Sequence, residues 1–132
     1  MKKVRGYIYS RPFMGERVPQ HVQNLVIRDY CDRGGLHFLL SAAEYAMQDS
    51  DLIFEQVLCE LKDIDGIVAY SLFQLPEDSI KRNRIYNKIV SMKKNMYFAV
   101  EGLKVSNMQD CDRIEILWRV RQTLPNCIKH YA

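Results

Sequence analysis

No apolar run in this chain of 132 residues approaches the roughly 20 needed to cross a bilayer. A membrane partner is therefore not expected. Glycine and proline are sparse, at six and four residues, and no low-complexity stretch, internal repeat or linker divides the sequence. One α/β domain over residues 1–132 follows, long enough for a single core. Charge of one sign is also lacking. Nineteen Lys and Arg against sixteen Asp and Glu leave +3, and the signs alternate through 101–104 and 110–113. Nucleic-acid modules usually carry a clustered basic face, so no nucleic-acid partner is expected. The four cysteines, Cys31, Cys59, Cys111 and Cys127, form no CxxC or CxxH pair. Close pairs let two ligands converge on zinc from one turn, so no metal site is expected, and the thiols read as small hydrophobes. The GxGxxG, Walker, GxSxG and HExxH motifs are all absent, and no cofactor is called for. The first residues enter a strand without the apolar stretch of a signal peptide, and a cytoplasmic location is expected.

What the chain does have is alternation. Residues 4–9 read as a strand and 20–31 as a helix, with Pro19 at its start and Gly34-Gly35 beyond its end. Val22, Leu25, Val26 and Tyr30 give that helix its apolar spacing. Strand 36–41 follows, then a loop or short turn over 42–50, then a helix opening at Ser50 or Asp51. Leu52, Ile53, Phe54, Val57, Leu58 and Leu61 form its buried stripe. The nearly continuous apolar run 67–73 fits a central strand covered on both faces. A third helix turns Ile80, Ile85, Ile89 and Met92 inward, 96–100 is a fourth strand, and a last helix spans about 110–124 until Pro125 ends it. This order predicts right-handed crossovers. The fold expected is a three-layer α/β sandwich with a mostly parallel sheet of four or five strands and helices on both faces, a flavodoxin-like arrangement.

The first strand runs directly into a dense polar turn, Ser10-Arg11-Pro12-Phe13-Met14-Gly15-Glu16-Arg17-Val18-Pro19. Open α/β sheets bind ligands beyond the carboxyl ends of their strands. Arg11 and Arg17 offer planar forks for a phosphate or carboxylate, and the helix start at Gln20-His21 adds N–H groups and a favourable dipole. Alternatively, the arginines pair with Glu16 or Glu44 on a surface loop. His21 has a pKa suited to a general base, or simply packs at the helix end. Ser41 and Glu44 leave the second strand, where Glu44 either binds hydroxyls or pairs with Arg11, or where Tyr45 and Met47 just close the core. Ser71 and Gln74 leave the third strand, and Glu101 leaves the fourth. If the site is catalytic, Ser10, His21 and Glu44 are the candidates, for isomerisation or group transfer. Arg11, Arg17, Gln20, Ser41, Ser71, Gln74 and Glu101 are the candidate ligand contacts. The last helix carries Ile114, Ile116, Leu117, Trp118, Val120 and Leu124, a set broader than one buried stripe. Either Trp118 caps the core or a second face meets a partner, and a homo-oligomer is expected.

Several of these segments resemble the sporadic carbohydrate cluster family of bacterial surface-polysaccharide loci. They are Arg5-Gly6-Tyr7-Ile8, Ser10-Arg11-Pro12-Phe13-Met14-Gly15, Arg17-Val18-Pro19-Gln20-His21-Val22-Gln23-Asn24, Glu44-Tyr45-Ala46-Met47, Asp65-Gly66-Ile67-Val68 and Tyr70-Ser71-Leu72-Phe73-Gln74-Leu75-Pro76. That resemblance implies a part in cell-surface glycan synthesis, with a sugar phosphate, nucleotide sugar or acidic sugar as ligand. A non-catalytic scaffold that docks glycan enzymes through its last helix is the alternative. A more distant resemblance is to the catalytic domain of serine recombinases, where a first strand like Gly6-Tyr7 leads to a nucleophilic serine. Ser10 falls one position from that serine, and Phe73-Gln74-Leu75-Pro76-Glu77 lacks the family's arginines. The resemblance therefore implies a resolvase-like fold and helix-mediated self-association, not recombination.

Overall fold

Along 3–9 the side chains alternate between two apolar layers. Val4 and Ile8 pack with Ile27 and Cys31, while Tyr7 and Tyr9 pack with Phe54, Val57 and Leu72. A strand buried on both faces belongs in the interior of a sheet. The computed structural model describes residues 1–13, 17–44, 46 and 52–131, with side chains as far as residue 123. Its elements are β1 (Lys3–Tyr9), α1 (Gln20–Gly34), β2 (His37–Glu44), α2 (Leu52–Cys59), β3 (Gly66–Ala69), α3 (Ser79–Ser91), β4 (Asn95–Phe98), β5 (Leu103–Val105) and α4 (Met108–Tyr131). The strand order is β2-β1-β3-β4-β5. The first four strands run parallel and β5 runs antiparallel to β4. Helix α1 covers one face, and α2, α3 and α4 supply the core of the other. This is the expected three-layer α/β sandwich. Among the described residues, no helix is long and apolar enough to cross a membrane.

Local chemistry sets the element ends. Pro19 precedes α1, and its carbonyl accepts from the Val22 and Gln23 amides. Gly35 closes the helix at φ 68°, a left-handed geometry that glycine adopts without a Cβ penalty. At Gly6 the reason for glycine is space. A Cβ there would run into Ser41 Oγ and come within 2.9 Å of the Phe38 ring, so β1 and β2 approach closely only because it is absent.

Several expectations are corrected. β2 does not stop at Ser41 but continues through Glu44, extended by a bulge. Leu39 pairs with Arg5 and Ser41 with Gly6, which leaves Leu40 as an extra residue. Strand β3 is shorter than its apolar run. The Ser71 hydroxyl accepts from the Phe73 amide and the Gln74 side chain returns to the Ser71 amide, so Leu72–Gln74 curls into a 3-10 turn. Leu25, Leu52 and Ile80 are exposed rather than inward. In α1 the fully buried positions are Gln23, Ile27 and Cys31, and Ile80 lies in the first turn of α3, outside its packed stripe of Ile85, Tyr86 and Ile89. The fifth strand, β5, lies where the apolar pattern marks none. It follows a turn at Gly102, whose φ of 66° reverses the chain. The backbone of α4 stays helical past Pro125. Proline costs one backbone bond and bends a helix, but need not end it. Trp118 is fully buried, its ring edge-on to Phe73 at 5.2 Å and under the Arg82 guanidinium at 4.3 Å. It caps the core and is not available to a partner. The expected N-cap at Ser50 or Asp51 lies outside the described residues.

Burial also fixes how stability depends on pH. It pushes the Cys31 and Cys111 thiols up to about 11 and the Tyr9 phenol to about 12, and raises Tyr7 and Tyr86 further. In the unfolded chain thiols ionise near 8.5 and phenols near 10. The unfolded state thus loses protons first as pH rises, and each group's stabilisation is intact below its unfolded value and lost above it. The melting temperature should hold near neutrality and fall steadily above about pH 9. A melting temperature that stays level from neutrality into strong alkali, by scanning calorimetry, would contradict this.

Candidate functional site

At the carboxyl ends of β1 and β3 the polar groups meet in a closed network around Gln23. The Tyr9 amide donates to Gln23 Oε1 at 3.0 Å. Gln23 Nε2 donates to the carbonyls of Tyr9 at 2.9 Å and Val18 at 2.8 Å. Gln74 Nε2 donates to Gln23 Oε1 at 2.7 Å, and Gln74 Oε1 accepts from the Tyr70 amide at 3.1 Å. The Tyr9 hydroxyl donates to the Gln74 carbonyl at 2.6 Å. Gln23 and Gln74 are both buried, and buried polar groups that are this well satisfied rigidify what they join. Here they join β1, the segment before α1, and the turn after β3.

The neighbouring pieces are bound in the same way. Glu44, at the end of β2 and 1% exposed, accepts from the Tyr7 hydroxyl at 2.8 Å and from the amides of Ile53 at 3.1 Å and Phe54 at 3.0 Å. Its carboxylate thereby satisfies open donors in the first turn of α2 and suits the positive end of that helix. The Ser10 hydroxyl donates to the Glu44 carbonyl. Glu101 accepts from the Ser71 hydroxyl at 2.8 Å and from the Leu72 amide at 2.9 Å, which ties the β4–β5 turn to the end of β3.

Ser10, Arg11, Glu44, Ser71, Gln74 and Glu101 thus share the carboxyl rim, as the sequence suggests, but most of their polar atoms face inward to the fold. The Arg11 guanidinium lies 4.3 Å over the Tyr9 ring, a cation–π seat at the rim. Gln20, His21 and Arg17 are exposed, and among the described residues no hydrogen bond or ion pair ties His21 to Ser10 or Glu44. The expected Ser10–His21–Glu44 catalytic set is therefore not assembled. Helix α1 instead turns Gln23 inward and leaves His21 on its outer side. Nor does Ser41 join the rim. It pairs with Gly6 midway along β2 on the face covered by α1, where its hydroxyl is buried without a partner. Glu16, Tyr45 and Met47 lie outside the described residues.

Sequence reasoning missed Gln23 and Tyr9. A glutamine in register with Ile27 and Cys31 on the inward stripe of α1 was the available signal, since a buried amide needs partners. Among the described residues no three His, Cys, Asp or Glu side chains converge as a metal site would require. Cys31 and Cys111 are buried, and Cys59 is exposed. A shallow cleft of about 400 Å³ opens on the α1 side of β4, lined by Tyr30, Arg33, Gly34, Ala99, Val100, Glu101 and Gly102.

Solved structures share this architecture over nearly the whole chain. A resolvase family site-specific recombinase from Streptococcus pneumoniae superposes with a TM-score of 0.66 at 10% identity, covering 97% of this chain and 98% of that one. The N-terminal catalytic domain of TP901-1 integrase gives 0.59 at 14% identity, over 93% and 98%. At such identities the likeness is one of fold, and the fold is resolvase-like. No family model matches the chain, and no curated protein does. These comparisons lend no support to the likeness with the sporadic carbohydrate cluster family.

Proposed function

We propose that this domain binds an anionic, polyhydroxylated ligand, a sugar phosphate or related acidic sugar, at the carboxyl rim of its sheet, and holds it without turnover. The ligand class suits a part in cell-surface carbohydrate synthesis. The observation that carries the reading is the Arg11 guanidinium, held over Tyr9 at the mouth of the rim beside Ser10. A stacked arginine is preorganised, so less side-chain freedom is lost when its fork meets a phosphate. Binding without turnover suits the company it keeps. Ser10 and Glu44 spend hydrogen bonds on the fold, and among the described residues no side-chain base is hydrogen-bonded to the Ser10 hydroxyl.

Titration calorimetry with hexose 1-phosphates and nucleotide sugars tests the reading. Arg11→Ala is expected to weaken binding by about tenfold or more, the loss of a charge-assisted pair of hydrogen bonds, while the melting temperature changes little. An unchanged affinity removes Arg11 from the site. A second reading, a scaffold docked through its last helix, draws on Ile116 and Val120, which lie one turn apart on the exposed face of α4. That reading predicts protein capture that Val120→Asp abolishes.

A further inference from the structure

Strand β2 is the outer strand of the sheet and, at eight residues, its longest. Among the described residues no strand pairs with its outer side. Edge strands usually carry lysine or proline, or are very short, because their free N–H and C=O groups recruit other strands. The opposite edge obeys this, since β5 has three residues with Lys104 at its centre. β2 is blunted only by its bulge, because Phe38-Leu39-Leu40-Ser41-Ala42-Ala43 carries no charge and no proline. Leu40 is 74% exposed.

We propose that β2 pairs antiparallel with the β2 of a second copy of this chain, joining two sheets across a two-fold axis between Leu40 and Ser41. The strand is its own complement. Its first half is bulky and its second half small, so about this axis Phe38 meets the partner's Ala43 and Leu39 meets the partner's Ala42. In a regular strand that register fails, because residues an odd number apart lie on opposite faces. The bulge at Leu40 removes the mismatch. Phe38 packs on the α1 side, and Ala43 pairs with Ile8 of that same layer. Leu39 and Ala42 both pack on the other side. Each large residue therefore faces a small one on the same face, with the two bulges meeting at the axis and twisting in step. A foreign strand without the bulge lacks this match. Opposed strands also place no like charges together.

One strand pair buries less than the roughly 1,200 Å² of a standard interface, so the dimer is expected to be weak and concentration-dependent. Sedimentation velocity from low to several hundred micromolar should show monomer passing to dimer. Leu40→Lys sets two ammonium groups close to the axis. It should weaken dimerisation by about tenfold or more, the factor that 1.4 kcal/mol represents, with partial recovery in high salt and an unchanged melting temperature in dilute protein. The competing variant is Val120→Asp on α4, which should leave the dimer intact. A monomer at every concentration overturns the proposal. So does a dimer that survives Leu40→Lys, or one lost only with Val120→Asp.

Discussion

Arg82→Ala is expected to destabilise the domain by about 3–5 kcal/mol, the usual cost of removing one partner of a buried charge pair. The Arg82 side chain is 3% exposed. Its guanidinium meets the Glu115 carboxylate through two parallel bonds of 2.9 and 2.8 Å. Nη1 donates to the carbonyls of Pro76 at 3.0 Å and Glu77 at 2.7 Å, and the plane lies over Trp118. One planar fork thus serves α4, the turn after β3 and the largest core side chain together. Lysine offers a single ammonium in place of that fork, so Arg82→Lys should recover little. Glu115→Gln should cost less, because Glu115 keeps some exposure to water and the amide still accepts one bond. Urea denaturation followed by circular dichroism reads all three. A wild-type midpoint for Arg82→Ala would show that the buried guanidinium contributes nothing net.

The second large effect is expected at Glu44. Glu44→Ala strands the Tyr7 hydroxyl and two α2 amides, each costing about 1–3 kcal/mol when buried without a partner, and opens a cavity beneath Phe54. The expected loss is about 3–5 kcal/mol. Glu44→Gln is the sharper test. It keeps the shape and one acceptor but turns an NH₂ toward groups that are themselves donors, so it should also destabilise measurably. Were Glu44 instead a reacting group, Glu44→Gln would leave the denaturation midpoint in place and act only on turnover.

The sequence was most readable where backbone chemistry is local. Pro19 and Gly34-Gly35 bracket α1 by what their own dihedrals allow, and the alternation of apolar segments carried the layered α/β order with them. The rim was legible too, because the strand-to-helix turns of a parallel sheet fall on one edge whatever their composition. What escaped was long-range pairing. Gln23 looks like a surface residue until Gln74 and the carboxyl end of β1 reach it, and Glu44 caps a helix that begins eight positions later in the chain. The apolar run through Tyr70-Ser71-Leu72-Phe73 reads as strand, yet a capping box wins over β-propensity once Ser71 and Glu101 lock together. His21 and Arg17 carry the right chemistry, but α1 turns His21 outward and Arg17 is exposed in the segment before that helix.

The grip of Arg82 has a mechanical corollary. Helix α4 cannot tilt without pulling on the Pro76 and Glu77 carbonyls, and these lie just past Gln74, whose amide is latched to Gln23. A load on the far end of α4 would therefore be felt at Tyr9 and at the guanidinium resting on it. One run of hydrogen bonds and short backbone thus joins Glu115 on the long helix to the mouth of the rim.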